Sequence, residues 1–188
     1  NLFMKIISIN PKALLVPRVS ANAPDWWMSR HPEARMVYDG NSTVNYSCIS
    51  NRTYRADVCD YLERLSRHLL ETFPDNFGGI HPAGQQTGEW FYRETWDTPL
   101  SGYDLSTRTA FREWLEKRGD PLANTAEPLT ADERRAPPYG LLRDPAREKR
   151  LVDFALFPQQ ETAAHVAAMA ASCRRGTDGK KLVFMLYG

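Results

Sequence analysis

Three short apolar runs, each preceded by a helical pattern, constrain the fold of this chain most. Leu2 to Ile9 carries Leu2, Phe3, Ile6 and Ile7 at helical spacing. Asn10-Pro11 stops that helix, because a proline disfavours helix in the residue before it. Ala13-Leu-Leu-Val16, running into Pro17-Arg18-Val19, then reads as a strand buried on both faces of a parallel sheet. Tyr54 to Phe73 is the clearest helix, with Val58, Tyr61, Leu62, Leu65 and Leu69 on one stripe. Phe77 to His81 follows as the second strand. Ser106 to Arg118 is a helix with Phe111, Trp114 and Leu115 on one face; Asp104 or Ser106 caps it and Gly119 ends it. Ala146 to Cys173 is helical, interrupted or bent at Pro158, with Thr162, Val166, Met169, Ala170 and Cys173 on one stripe. Leu182 to Tyr187 is the third strand, read as buried.

Strands alternating with helices predict an α/β fold with a parallel sheet and right-handed crossovers. Two forms compete, a doubly wound open sheet and a (β/α) barrel. No Gly-x-Gly-x-x-Gly follows a strand and there is no phosphate loop, so the nucleotide-binding form has no support. The segments after the strand ends carry Trp26, Trp27, Glu89 and Trp90, which suits a barrel whose site is built from βα loops. A full barrel takes about 250 residues and eight strands. This chain has 188 residues and three clear strands. It is therefore expected to be a single domain and a piece of a longer barrel, its last strand lacking a covering element. An unpaired edge and bare apolar faces would then favour association, including a homo-oligomer.

The remaining segments read as loops. Ser20 to Thr53 has little periodicity, but Trp26-Trp27 argues against disorder. Three Asn-x-Ser/Thr sequons there, at Asn41, Asn45 and Asn51, are what chance gives in an Asn/Ser-rich loop. Arg93 to Tyr103 is irregular, and Asp120 to Pro145 should wrap over the surface. The formal net charge of +1 gives no reason to expect nucleic acid. No apolar run is long enough to cross a bilayer. Cys48, Cys59 and Cys173 lack metal-finger spacing and read as free thiols. His31, His68, His81 and His165 form no metal-spaced cluster, so neither a catalytic metal nor another cofactor is expected.

Gly79 to Tyr92 carries the chemistry: Gly-Ile-His-Pro-Ala-Gly-Gln-Gln-Thr-Gly-Glu-Trp-Phe-Tyr. It starts as a strand and ends in one carboxylate, Glu89, followed by three aromatics. A carboxyl group laid against apolar surface holds its proton more tightly and can donate it to a leaving group. Aromatic rings also suit the apolar face of a sugar. A surface Glu in an aromatic turn would look the same, since Glu is mostly exposed.

The order of several motifs resembles glycoside hydrolase family 42 β-galactosidases and their relatives. Pro17-Arg18-Val19-Ser-Ala-Asn-Ala-Pro24-Asp-Trp-Trp27, with His31-Pro32-Glu33, is similar to that family's third-strand region. Gly79-Ile-His and Gly88-Glu89-Trp90 fall where it has its fourth strand and acid/base Glu. Ala110-Phe-Arg-Glu-Trp-Leu115 and Phe184-Met-Leu-Tyr-Gly188 resemble the following helix and the fifth strand. The resemblance implies a partial (β/α)8 barrel, strands three to five, from a retaining glycosidase. Such enzymes use two carboxylates about 5 Å apart. Glu89 matches the general acid/base; the nucleophile would lie beyond Gly188, so the chain alone would be inactive. The wider clan has Asn before this Glu and uses it to bond the sugar's 2-hydroxyl. Here the position is Gly88, so Gln85, Gln86 or His81 would have to supply that bond. The departure keeps open a non-catalytic carbohydrate-binding protein on the same barrel.

Candidate substrate contacts are Arg18, Trp26, His81, Gln86, Trp90 and Tyr187. Arg18, at a strand end, suits sugar hydroxyls or a rim ion pair equally. Trp26 and Trp27 would point opposite ways in an extended segment, leaving one for substrate. His81 and Trp90 could face the site or pack in the core. Tyr187 lies at the end of the last strand.

Overall fold

The structure is a computed structural model that describes residues 2–85, 87–92, 100–136 and 143–186. The helices are α1 (Leu2–Ile9), α2 (Asp25–Arg30), α3 (Arg52–Thr72), α4 (Leu105–Lys117), α5 (Ala131–Arg135) and α6 (Lys149–Gly176). The strands are β1 (Arg18–Ser20), β2 (Arg35–Val37), β3 (Thr43–Ser47), β4 (Gly79–Ala83) and β5 (Leu182–Val183). They group into two compact units: Asn1–Asn22, Arg55–Trp90 and His165–Gly188 form one, Ala23–Tyr54 and Phe91–Ala164 the other.

The first unit is built on a parallel sheet in the order β1-β4-β5. The central strand β4 is buried along its whole length. Its flanking strands are not, which corrects the reading of the first as buried on both faces and of the last as buried. From Ala13 to Ser20 burial alternates, and Leu14 and Val16 are 72% and 48% exposed. Ladder pairing of β1 begins only at Arg18; Leu15 makes one isolated bridge to Phe77, and Pro17 has no N–H to contribute. β5 stops at Val183, short of the predicted Tyr187. Pro82 explains this. The Phe184 N–H donates to the Ile80 carbonyl, but the next donor on that side of β4 would be Pro82, which has none.

Register places alternate residues of all three strands on one face. Arg18 pairs with His81, Ser20 with Ala83, and Gly79 with Leu182. Val16, Leu182, Phe184 and Leu186 therefore share a face with Arg18 and His81 and leave it largely apolar below its polar end. The other face is covered by helices. Val58, Leu62 and Ser66 of α3 are buried, as are His165, Met169 and Cys173 of α6.

The second unit contains what the sequence presents as one long loop. Arg35–Val37 and Thr43–Ser47 pair antiparallel, with a register shift between Arg35 and Met36. Asp104 caps α4, accepting from the Thr107 N–H at 2.8 Å. Phe111, Leu115, Phe154 and Phe157 form the core with Ala123, Ala126 and Leu129. The last three lie in the stretch expected to wrap the surface; they are buried instead. α6 continues through Pro158, whose carbonyl accepts from the Thr162 hydroxyl at 2.7 Å.

Candidate active site

The polar end of the sheet face lies at the C-terminal ends of β1 and β4. There, Arg18, Val19, Ser20, Asn22, Ala83, Gly84, Gln85 and Gly88 line a cleft of about 240 Å³. Two side chains of the β1 segment, Asn22 and Arg18, hold the turn after β4, more than sixty positions away. Asn22 clamps the Gln85 backbone: its Oδ1 accepts from the Gln85 N–H at 2.8 Å and its Nδ2 donates to the Gln85 carbonyl at 3.3 Å. This holds Gln85 at φ +53°, in the left-handed region. Arg18 donates through Nη2 to the Thr87 carbonyl at 2.7 Å.

Glu89 stands directly after this turn and is half-buried. Its backbone is fixed on both sides. Before it, Thr87 is held by Arg18. After it, the Trp90 N–H donates to the Leu186 carbonyl at 3.0 Å. Between them Gly88 has φ +84°, and a Cβ there would sit 1.8 Å from Arg18 Nη2. Only glycine fits this turn while Arg18 keeps its place.

His81 is 7% exposed, and its Nε2 is buried with no hydrogen-bond partner among the described residues. Burial and then the Arg18 charge push its pKa below the usual histidine value. Its ring meets Phe184 edge-on at 4.9 Å. It is a neutral imidazole beside Arg18.

Trp90 is fully buried behind the cleft. Its Nε1 donates to the Pro82 carbonyl at 3.2 Å, and its ring lies 5.0 Å from that of His165. His165 accepts from Arg55 Nε at Nδ1 (3.3 Å), and burial, then the Arg55 charge, lower its pKa to about 3. Trp26 belongs to the second unit, on α2. It is 60% exposed, with the Arg30 guanidinium 5.4 Å from its ring centroid. Its neighbour Trp27 is buried and stacks on His31 at 4.2 Å. Gln86 and Tyr187 lie outside the described residues.

The structure thus brings Arg18, His81 and the Glu89 turn to one end of one sheet. Sequence reading misses Asn22 and the Arg18–Gly88 contact. The one available signal was a polar residue, Asn22, just past the end of a strand.

No protein-family model matches the sequence, and no curated protein matches it. Solved structures do match. The catalytic domain of β-amylase from Paenibacillus polymyxa superposes with a TM-score of 0.69 at 15% identity, over 97% of this chain and 53% of that one. β-Galactosidase from Bacillus circulans sp. alkalophilus gives 0.68 at 13% identity, over 99% and 29%. β-Galactosidase from the psychrophilic Marinomonas ef1 gives 0.67 at 13%, over 93% and 27%. The chain spans about half the length of the first and under a third of the other two. The fold is α/β, a partial (β/α)8 barrel, as in these structures. Within that fold, the cleft lies at the end where barrel enzymes carry their active sites.

Proposed function

We propose that this chain carries the acid/base part of a retaining glycosidase site, β-galactosidase-like, with Glu89 as general acid/base. The observation that supports this most is the placement of Glu89. It follows directly the turn after β4, at the C-terminal end of a parallel barrel sheet, on backbone fixed at Thr87 and Trp90. In the first step the Glu89 carboxyl gives its proton to the glycosidic oxygen as the bond to the anomeric carbon breaks. A second carboxylate, supplied from outside residues 1–188, attacks that carbon and forms a glycosyl ester. The Glu89 carboxylate then takes a proton from water, whose oxygen displaces the ester. Arg18 donates to sugar hydroxyls beside it, and the neutral His81 donates to or accepts from them.

The test is made on the natural full-length protein. Proton NMR of the first product from a β-galactoside should show the β-anomer, with turnover falling by about 10²–10⁴ in Glu89→Gln for substrates that need protonation. An α-anomer as first product refutes retention. Sugar binding without any hydrolysis favours the carbohydrate-binding alternative.

A further inference from the structure

We propose that Arg18 is a positioning residue for Glu89, filling the space that a side chain at residue 88 would occupy and fixing the turn through Thr87. This rests on the reading of Glu89 as the acid. Arg18 and Gly88 are coupled by geometry rather than by sequence proximity. A Cβ at 88 would lie 1.8 Å from Nη2, 2.8 Å from Cζ and 3.2 Å from Nε of Arg18. No rotation at residue 88 removes that overlap, because the Cβ is fixed by the backbone. The same Nη2 that blocks it holds the Thr87 carbonyl at 2.7 Å.

Upstream, Asn22 clamps the turn at Gln85, two residues before Thr87. Thr87 is exposed, and Glu89 makes no hydrogen bond or ion pair with a described residue. Downstream, Trp90 is immobilised by its N–H to Leu186 and its indole to Pro82. So the carboxylate stands between Trp90, fixed by the sheet, and Thr87, held by one guanidinium, with Asn22 holding Gln85 further upstream. Loss of the guanidinium frees Thr87 and Gly88 while Gln85 and Trp90 stay held. The chemistry affected is therefore proton delivery to the leaving group, which depends on where the carboxyl group stands.

Two measurements on the full-length natural protein test this. The first compares kcat/KM for a methyl β-galactoside, which needs a proton on its leaving group, with that for a 2,4-dinitrophenyl β-galactoside, which does not. Arg18→Met should lower the ratio of the two by about 100-fold, as a misplaced catalytic group does. A residue that only binds sugar or only supports the fold lowers both alike. The second is a stability cycle that needs no activity. Gly88→Ala should destabilise the parent more than it destabilises Arg18→Ala, by at least about fivefold in the unfolding equilibrium constant. An unchanged ratio, or additive effects at positions 18 and 88, overturns the proposal. A parent that hydrolyses no glycoside sinks the glycosidase reading instead, while the cycle still decides the coupling.

Discussion

Gly84→Ala is the substitution whose cost follows most directly from the geometry. A Cβ at residue 84 would lie 2.3, 2.5 and 2.8 Å from three carbons of the Trp90 ring. Carbon contacts are comfortable at about 3.5–4.0 Å, so the ring would have to retreat by roughly 1 Å. Trp90 is fully buried, which leaves it little room to retreat. Overpacking of this kind costs about 1–3 kcal/mol. The retreat would also carry Nε1 away from the Pro82 carbonyl, now at 3.2 Å. A buried indole N–H stranded in this way costs about 1–3 kcal/mol more. The expected loss is therefore about 2–6 kcal/mol, a large part of the ~5–15 kcal/mol that typically holds a domain folded. Urea unfolding followed by far-ultraviolet circular dichroism measures it. The double substitution Gly84→Ala/Trp90→Leu should cost little beyond Trp90→Leu alone, since the smaller side chain removes the clash. A single Gly84→Ala within about 0.5 kcal/mol of the parent, the range of ordinary surface changes, would refute the reasoning.

Asp104→Ala removes the cap of α4 and its bonds to the Thr107 N–H and hydroxyl, at 2.8 and 3.0 Å, and should cost about 1–2 kcal/mol in the same assay. His165 titrates near 3 when folded against an ordinary 6.5, so its contribution is complete above pH 6.5 and is lost progressively as pH falls towards 3. By pH 5.5 that loss is about 1.4 kcal/mol, measured as a falling urea midpoint, and it should be absent in His165→Gln. His81, also lowered, adds a dependence of the same sign. Burial pushes the Cys173 thiol up to about 11 and raises Cys48 well above its ordinary value. Both should resist a thiol-exchange reagent in the native protein and react only at the rate of unfolding, whereas Cys59, half-exposed, reacts first.

What the sequence made legible was local. The stripe from Val58 to Leu69 gave α3, and Asp104 gave the start of α4, because both depend on neighbours within a few turns. The strand expected at Phe77 to His81 exists but lies two residues later, at Gly79–Ala83; Phe77 makes only an isolated bridge to Leu15. The flanking strands were misjudged for a physical reason. Leu14, Val16, Leu182 and Phe184 are as apolar as core residues, yet among the described residues nothing covers their face. The β2–β3 pair was hidden because its residues are half polar, and only pairing across a turn distinguishes them from a loop. The end of β5 depends on Pro82, a residue of another strand. The candidate site divides in the same way. Glu89 stands out in the sequence by its aromatic neighbours and its place after a strand, features that a surface Glu would share. The contacts that hold it, Arg18 on Thr87 and Asn22 on Gln85, span 69 and 63 positions, and no local pattern encodes them.

The central claim is that Glu89 is the acid/base of a double displacement, and pre-steady-state kinetics of Glu89→Gln test it most directly. The full-length natural protein carrying that substitution is mixed with a 2,4-dinitrophenyl β-galactoside. The activated leaving group departs without a proton, so the glycosyl ester should form quickly and then hydrolyse slowly for want of a base. One equivalent of dinitrophenolate should appear in a burst, followed by slow turnover. A time course with no burst and with the parent's steady-state rate would contradict it and remove Glu89 from the chemistry.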